Sequence, residues 1–234
     1  MSVSSPQPVP IFKPLLPNDA KVFEVLGYST RHWELMPEEA VITNAWQRTR
    51  KQEFGAGRSC ARRALEALGF APQPILVGSG REPLFPTGTS GTITHTDDYC
   101  AAAVIRCADI VSIGIDAEIA LPLPANIVKL VLRPEELQML AQITNQCRAV
   151  DALVFSIKEA FFKAYFQQVG EYLDFLDARV DLIPAQRAFR IEILCKPFNR
   201  QCERFRSFAG FYTWDQSRFY CAIALPRLIG YKEK

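Results

Sequence analysis

Two acids, two residues apart, close an apolar run: Ile113-Gly114-Ile115-Asp116-Ala117-Glu118. In an extended chain such residues face the same way, about 7 Å apart. Asp116 and Glu118 held together repel unless a proton or a cation lies between them. An all-oxygen donor set suits Mg²⁺, which takes few protein carboxylates and completes its shell with water and substrate phosphate. The bland alternative is a solvated strand end, and Asp-x-Glu is too short a motif to decide. A second cluster is Phe155-Ser156-Ile157-Lys158-Glu159-Ala160-Phe161-Phe162-Lys163-Ala164. Its periodicity predicts a helix, with Glu159 and Lys163 on one face and Lys158 and Phe162 on the adjacent stripe. A surface ion pair would have the same spacing and contribute a few tenths of a kcal/mol. The setting argues against that: Phe155, Phe161, Phe162, Tyr165 and Phe166 imply a helix buried over much of its circumference. Charges on such a helix need partners or a function.

A third cluster is basic. From 48 to 63 the chain carries Arg48, Arg50, Lys51, Arg58, Arg62 and Arg63 against the single acid Glu53. A helix continuing through Gly55 and Gly57 puts Arg50, Phe54, Arg58 and Arg62 on one stripe. Arginine is the preferred fork for phosphate, and the glycines remove bulk where a ligand could approach. From this segment alone, a solvated cationic face is the better account. The fourth cluster joins Arg81, in Gly80-Arg81-Glu82-Pro83-Leu84-Phe85-Pro86, to Gly91-Thr92-Ile93-Thr94-His95. His95 is one of two histidines, and a lone histidine is more often structural than functional.

These clusters need elements to position them. Five prolines in residues 1–19 predict a loose arm or an extended wrap. Residues 38–68 read as helical, interrupted at Gly55-Ala56-Gly57. Residues 72–86 read as loop with a tight turn at Gly78-Ser79-Gly80. Strands at 91–95 and 101–105 are expected to form a hairpin about 96–98. A further strand covers 110–118, helices cover 126–131, 134–143 and 151–168, and strands cover 187–194, 207–214 and 218–225. Arg133-Pro134-Glu135-Glu136 suits the first turn of its helix. Two sets of strands, each with helices, predict an α+β fold.

Composition narrows the class. With 234 residues, 49% hydrophobic, the chain can bury a sizeable core. A net charge of +2 does not mark a nucleic-acid binder. The seven cysteines, Cys60, Cys100, Cys107, Cys147, Cys195, Cys202 and Cys221, form no CxxC. They read as reduced thiols of a cytoplasmic protein. No apolar run reaches the roughly 18 residues of a transmembrane segment, and the first residues lack the pattern of a signal peptide.

Order and spacing then matter more than any one cluster. Gly57-Arg58 with Cys60-Ala61-Arg62, Arg81–Pro86, Gly91–His95, Gly114–Glu118 and Phe155–Ala164 follow one another in a pattern that resembles the 4'-phosphopantetheinyl transferases of the enterobactin-synthetase component D type. Phe85 stands where that family usually has Trp, Thr92 and Thr94 replace serines, and Phe162 fills a position that some relatives give to tyrosine. The resemblance implies two similar α+β halves, expected at 1–110 and 111–234, with coenzyme A in the cleft between them. It implies that Asp116, Glu118 and Glu159 hold Mg²⁺ and that Lys158 and Lys163 lie along the phosphates. Arg50, Arg58, Arg81, Thr94 and His95 would grip the nucleotide end with its 3'-phosphate. A serine of an acidic carrier protein domain would attack the β-phosphate and release 3',5'-ADP. Asp116, Glu159 and Lys163 would be the catalytic residues, with Glu159, or a metal-bound water oriented by it, taking the proton. The type brings siderophore and enterobactin biosynthesis with it, while siderophore, other peptide-synthetase, polyketide and fatty-acid carriers all stay open as acceptors; a monomer is expected. Two rival readings use the same residues: a Mg²⁺-dependent nucleotide pyrophosphate hydrolase, and a catalytically silent coenzyme A-binding module.

Overall fold

The structure is a computed structural model that describes residues 10–143, 149–194 and 207–228. Three strands, β1 (Lys21–Leu26), β2 (Thr89–Thr96) and β3 (Tyr99–Arg106), form an antiparallel sheet in the order β1-β3-β2. The β2–β3 hairpin turns at Asp97 and Asp98, whose φ values of 35° and 62° give the left-handed turn that matches strand twist. Helix α1 (Pro37–Thr43) leads to α2 (Arg48–Glu66), which packs across β1 and β3. Five further strands, β4 (Ile110–Ile119), β5 (Ala178–Ile183), β6 (Ala188–Ile193), β7 (Ser207–Trp214) and β8 (Arg218–Pro226), form an antiparallel sheet in the order β4-β8-β7-β6-β5. Helices α3 (Ala125–Val131), α4 (Pro134–Ile143) and α5 (Val150–Val169) complete this part, and α5 lies across β4 and β8. The chain is thus two α+β halves, each a sheet carrying one long helix.

Where the halves meet, β2 runs beside β4 without joining its sheet. Three hydroxyls bridge the seam: Ser90, Thr92 and Thr94 accept the backbone N–H groups of Ile113, Ile115 and Ala117 at 2.9, 3.3 and 3.0 Å. Both series ascend by two, so the strands run in the same direction. A common core lies behind the seam, where Ala101, Ala103 and Ile105 of β3 meet Ile113, Ile115 and Ala117 of β4 and Tyr220 and Ala222 of β8.

Several expectations change here. The break in the first helical stretch falls at 44–47, and α2 passes unbroken through Gly55 and Gly57. A Cβ on Gly55 would lie 2.6 Å from Trp33 Cβ, and one on Gly57 would lie 2.8 Å from Ile93 Cγ2. These glycines admit neighbours rather than end the helix. Residues 10–19 are not loose: Phe12 is fully buried and meets Tyr220 edge-on at 5.6 Å, and Lys13 Nζ donates to the carbonyls of Asn18 and Ala20. Strands β1 and β5 are additions to the sequence reading. Cys60, Cys100, Cys107 and Cys221 are free thiols, while Cys147, Cys195 and Cys202 lie outside the described residues. Among the described residues, no helix is long and apolar enough to cross a membrane.

Candidate active site

Strand β4 turns its even positions to α5 and its odd positions to the shared core, as an extended chain buried on both faces must. Gly114 lets the helix come down onto the strand, because a Cβ there would overlap the Ala160 carbonyl oxygen. Ser156, Glu159, Ala160, Lys163 and Gln167 recur every three or four residues and make the stripe of α5 that meets β4. Asp116 therefore lies between the two halves, largely buried. Its Oδ1 accepts from Lys163 Nζ at 2.7 Å and from Thr94 Oγ1 at 3.2 Å, and its Oδ2 accepts from Ser156 Oγ at 2.8 Å. Lys163 also donates to the Ile115 carbonyl at 3.2 Å. Gln167 ties α5 to both halves: Nε2 donates to the Ile113 carbonyl at 2.8 Å, and Oε1 accepts from Ser90 Oγ at 2.6 Å.

Glu118 and Glu159 complete the acidic group. Burial raises the Glu159 pKa above the usual glutamate value; Lys163 pulls it down, and Asp116 and Glu118 push it further up. Burial likewise raises Glu118, against the hydrogen bond from the Ile119 N–H, with Asp116 adding to the rise and Lys163 opposing it. Asp116 pairs with the Lys163 ammonium, while Glu118 and Glu159 lie in the same field, an excess of negative charge that a divalent cation would relieve. Oxygen donors of this kind fit Mg²⁺. Among the described residues, however, no three acidic, histidine or cysteine side chains already converge as a cluster that could hold an ion. Lys163 Nζ lies 2.7 Å from Asp116 Oδ1 within this group.

Beside this group opens a cleft of about 420 Å³. One wall comes from the first half, with Arg81, Glu82, Pro83 and Gly91–Ile93; the other is the face of α5 with Glu159, Phe162, Lys163, Phe166 and Gln167. Tyr172, Leu173 and Phe175 add to its lining, and the Tyr172 hydroxyl donates to the Gly80 carbonyl across the halves. Arg81 adopts a left-handed φ of 66° at the turn that carries it, and its side chain is exposed. A non-glycine residue in that region marks a constrained turn.

The structure brings Arg81, Glu159 and Lys163 to one cleft, with Asp116 behind it on Lys163 and Glu118 in the same field. His95 lies within their field: protein packed around the ring lowers its pKa, Glu53 opposes this, Lys163 assists it and Asp116 opposes it. Its side chain stays open to water, which weakens those interactions. Other candidates lie elsewhere. Lys158 points away from the cleft and is fully buried, donating to Glu136 at 2.8 Å, to the Val131 carbonyl at 2.8 Å and to the Phe175 carbonyl at 2.9 Å. It is two residues from Ser156, about 200° round the helix, so it cannot share the stripe that meets β4. Thr94 is also buried, its hydroxyl committed to the seam and to Asp116. Arg58 is buried, donates Nε–H to the Ile75 carbonyl at 2.8 Å and covers the Phe54 ring at 4.1 Å; burial lowers its pKa to about 10. Arg50 is exposed over the Trp46 ring at 4.4 Å. Neither arginine lines the cleft.

Ser156 and Glu136 were not singled out from sequence. Ser156 lies seven residues, or two turns, before Lys163, so its stripe was readable. Glu136 had read only as a first-turn acid of α4, and its partner Lys158 could not be found without the fold.

Comparison with known proteins adds independent findings. A model of the 4'-phosphopantetheinyl transferase N-terminal domain matches residues 37–105, and a model of the 4'-phosphopantetheinyl transferase superfamily matches residues 112–224. The 4'-phosphopantetheinyl transferase Svp of Streptomyces mobaraensis is 36% identical over 202 residues, covering 86% of this chain and 82% of that protein. The 4'-phosphopantetheinyl transferase PptT of Mycobacterium tuberculosis is 36% identical over 69% of this chain and 73% of its own length. Enterobactin synthase component D of Salmonella typhi is 30% identical over 52% of this chain and 51% of its own.

Proposed function

This chain belongs to the 4'-phosphopantetheinyl transferase superfamily, and from that premise we propose that it transfers phosphopantetheine from coenzyme A to a carrier-protein serine at the cleft beside Asp116 and Lys163, with Mg²⁺ as cofactor and 3',5'-ADP as leaving group. The observation that carries this reading is the Asp116–Lys163 ion pair, with Lys163 and Glu159 on the wall of a cleft between the halves and Glu118 in the same field. Asp116, Glu118 and Glu159 would hold Mg²⁺. When bound, the ion would neutralise diphosphate oxygens and the charge that builds on the leaving group.

The residues of the chain supply the rest. Lys163, partly exposed at the cleft wall, offers a second positive charge to the phosphates. Glu159, whose proton affinity is raised by burial, would accept the serine proton directly or through a water that it orients. Arg81 lies at the rim of the cleft, where a fork of donors can hold phosphate. His95, exposed at the end of β2, would meet the nucleotide end as a hydrogen-bond donor. Phe162, Phe166 and Phe175 give the cleft an apolar side that keeps water from the reacting phosphate.

The division of the halves is placed at 110/111, a position supported by the separate family matches on either side. The free thiols fit a cytoplasmic setting. Similarity to enterobactin synthase component D supports a siderophore carrier as acceptor, and a monomer is the proposed state. The test is release of 3',5'-ADP from coenzyme A with and without an apo carrier. Release is expected only with both carrier and Mg²⁺, and a chelator should stop it. Equal release without carrier would make the protein a pyrophosphate hydrolase instead.

A further inference from the structure

The Phe-Ser-x-Lys-Glu segment contains a serine that the functional reading leaves without work. Ser156 is fully buried near the middle of α5. A serine there commonly bonds back to the carbonyl four residues earlier; this one donates to Asp116 Oδ2 at 2.8 Å. Cys221 lies opposite Asp116 in the β4–β8 register, so the Ser156 hydroxyl is enclosed by the helix and the sheet with Asp116 Oδ2 as its acceptor. Thr94 does the same on the other oxygen: it accepts the Ala117 N–H at 3.0 Å, which turns its own proton to Asp116 Oδ1.

We propose that Ser156 is a positioning residue of the transfer site, clamping Asp116 from the α5 side, opposite Thr94, so that its carboxylate is already set for the cation before any ligand arrives. The inference rests on the metal reading above. Its physical basis is that a carboxylate in this site could rotate about its last bond, and each rotation would move an oxygen relative to Glu159. Two buried hydroxyls, one on each oxygen and one from each half of the chain, remove that freedom. The clamp also makes the site depend on the seam: if β2 and β4 part, Thr94 leaves Asp116, and the carboxylate keeps only one of its two hydroxyl partners. Groups that hold a metal ligand in place are commonly worth 10–100-fold in metal affinity.

The test is Mn²⁺ binding, followed by the electron paramagnetic resonance of the free ion, to the full chain with coenzyme A present. Ser156→Ala should weaken Mn²⁺ about tenfold, while calorimetry without metal finds coenzyme A affinity unchanged. Ser156→Thr, which keeps the hydroxyl, should restore Mn²⁺ binding to within about twofold. If Thr does not fit this buried position, Ser156→Cys keeps the volume with a far weaker donor and should behave like the alanine variant. Unchanged Mn²⁺ affinity in Ser156→Ala, in a protein whose wild type binds Mn²⁺, overturns the positioning role and leaves the transferase reading intact. A wild type that binds no Mn²⁺ with coenzyme A overturns the metal reading as well.

Discussion

Glu159 is the residue whose proton affinity reports most on the site. Burial raises it, Lys163 holds it down, and Asp116 and Glu118 push it up. The sign for catalysis follows. Only the ionised carboxylate can take a proton or bind a cation, so activity at low free metal should fall as pH drops through a pKa above the ordinary glutamate value. The contributions separate in the metal-free enzyme by following the ¹³C shift of the Glu159 carboxyl against pH. Lys163→Ala should move its midpoint up, because the attraction is gone. Asp116→Asn should move it down, because a repelling charge is gone. Midpoints that stay put in both variants would mean that the three groups do not share one field. Asp116, Glu118, Glu159 and Lys163 were legible in sequence because their chemistry shows in residue type and spacing. The geometry of Thr94 and Lys158 was not. A threonine hydroxyl bonds equally well to a ligand or to a neighbouring strand, and only the seam decides which.

At the scale of elements, α5 matters most, and Lys158 is its deepest anchor. Its ammonium meets Glu136, the Val131 carbonyl and the Phe175 carbonyl, while Glu136 also accepts from the N–H groups of Val180 and Arg133. One buried pair thus joins α5 to the end of α3, the start of α4 and strand β5. Burial lowers the Lys158 pKa even though Glu136 opposes the shift. Removing the ammonium strands a buried carboxylate, so Lys158→Met should destabilise the protein by about 3–5 kcal/mol. Lys158→Met with Glu136→Gln should recover part of that loss in urea unfolding, since no bare charge remains. A lysine bound only to phosphate would show neither effect. The helix itself was readable to within a residue at each end. Its seating was not, because the approach at Gly114 depends on a strand more than forty positions away. The interruption expected at Gly55–Gly57 has the same origin. In sequence, a glycine that breaks a helix and one that admits Trp33 or Ile93 look alike, and only the packing separates them.

At the scale of the whole molecule, the halves are joined by a shared core, a row of side-chain hydroxyls and the cleft between them. No sequence period marks this arrangement. The pairing of β2 beside β4 shows only in the common step of two between Ser90, Thr92, Thr94 and Ile113, Ile115, Ala117. The cleft sets Arg81 and Glu82 of the first half opposite Glu159 and Lys163 of α5. The most direct measurement is intact-protein mass spectrometry of an apo carrier incubated with this protein, coenzyme A and Mg²⁺, beside parallel samples with chelator and with Asp116→Ala. The carrier should gain one phosphopantetheine on its serine in the first sample and none in the other two. An unmodified carrier in the first sample, across siderophore, peptide-synthetase, polyketide and fatty-acid carriers, would contradict phosphopantetheine transfer; full modification in the chelated and Asp116→Ala samples would contradict the metal site at Asp116.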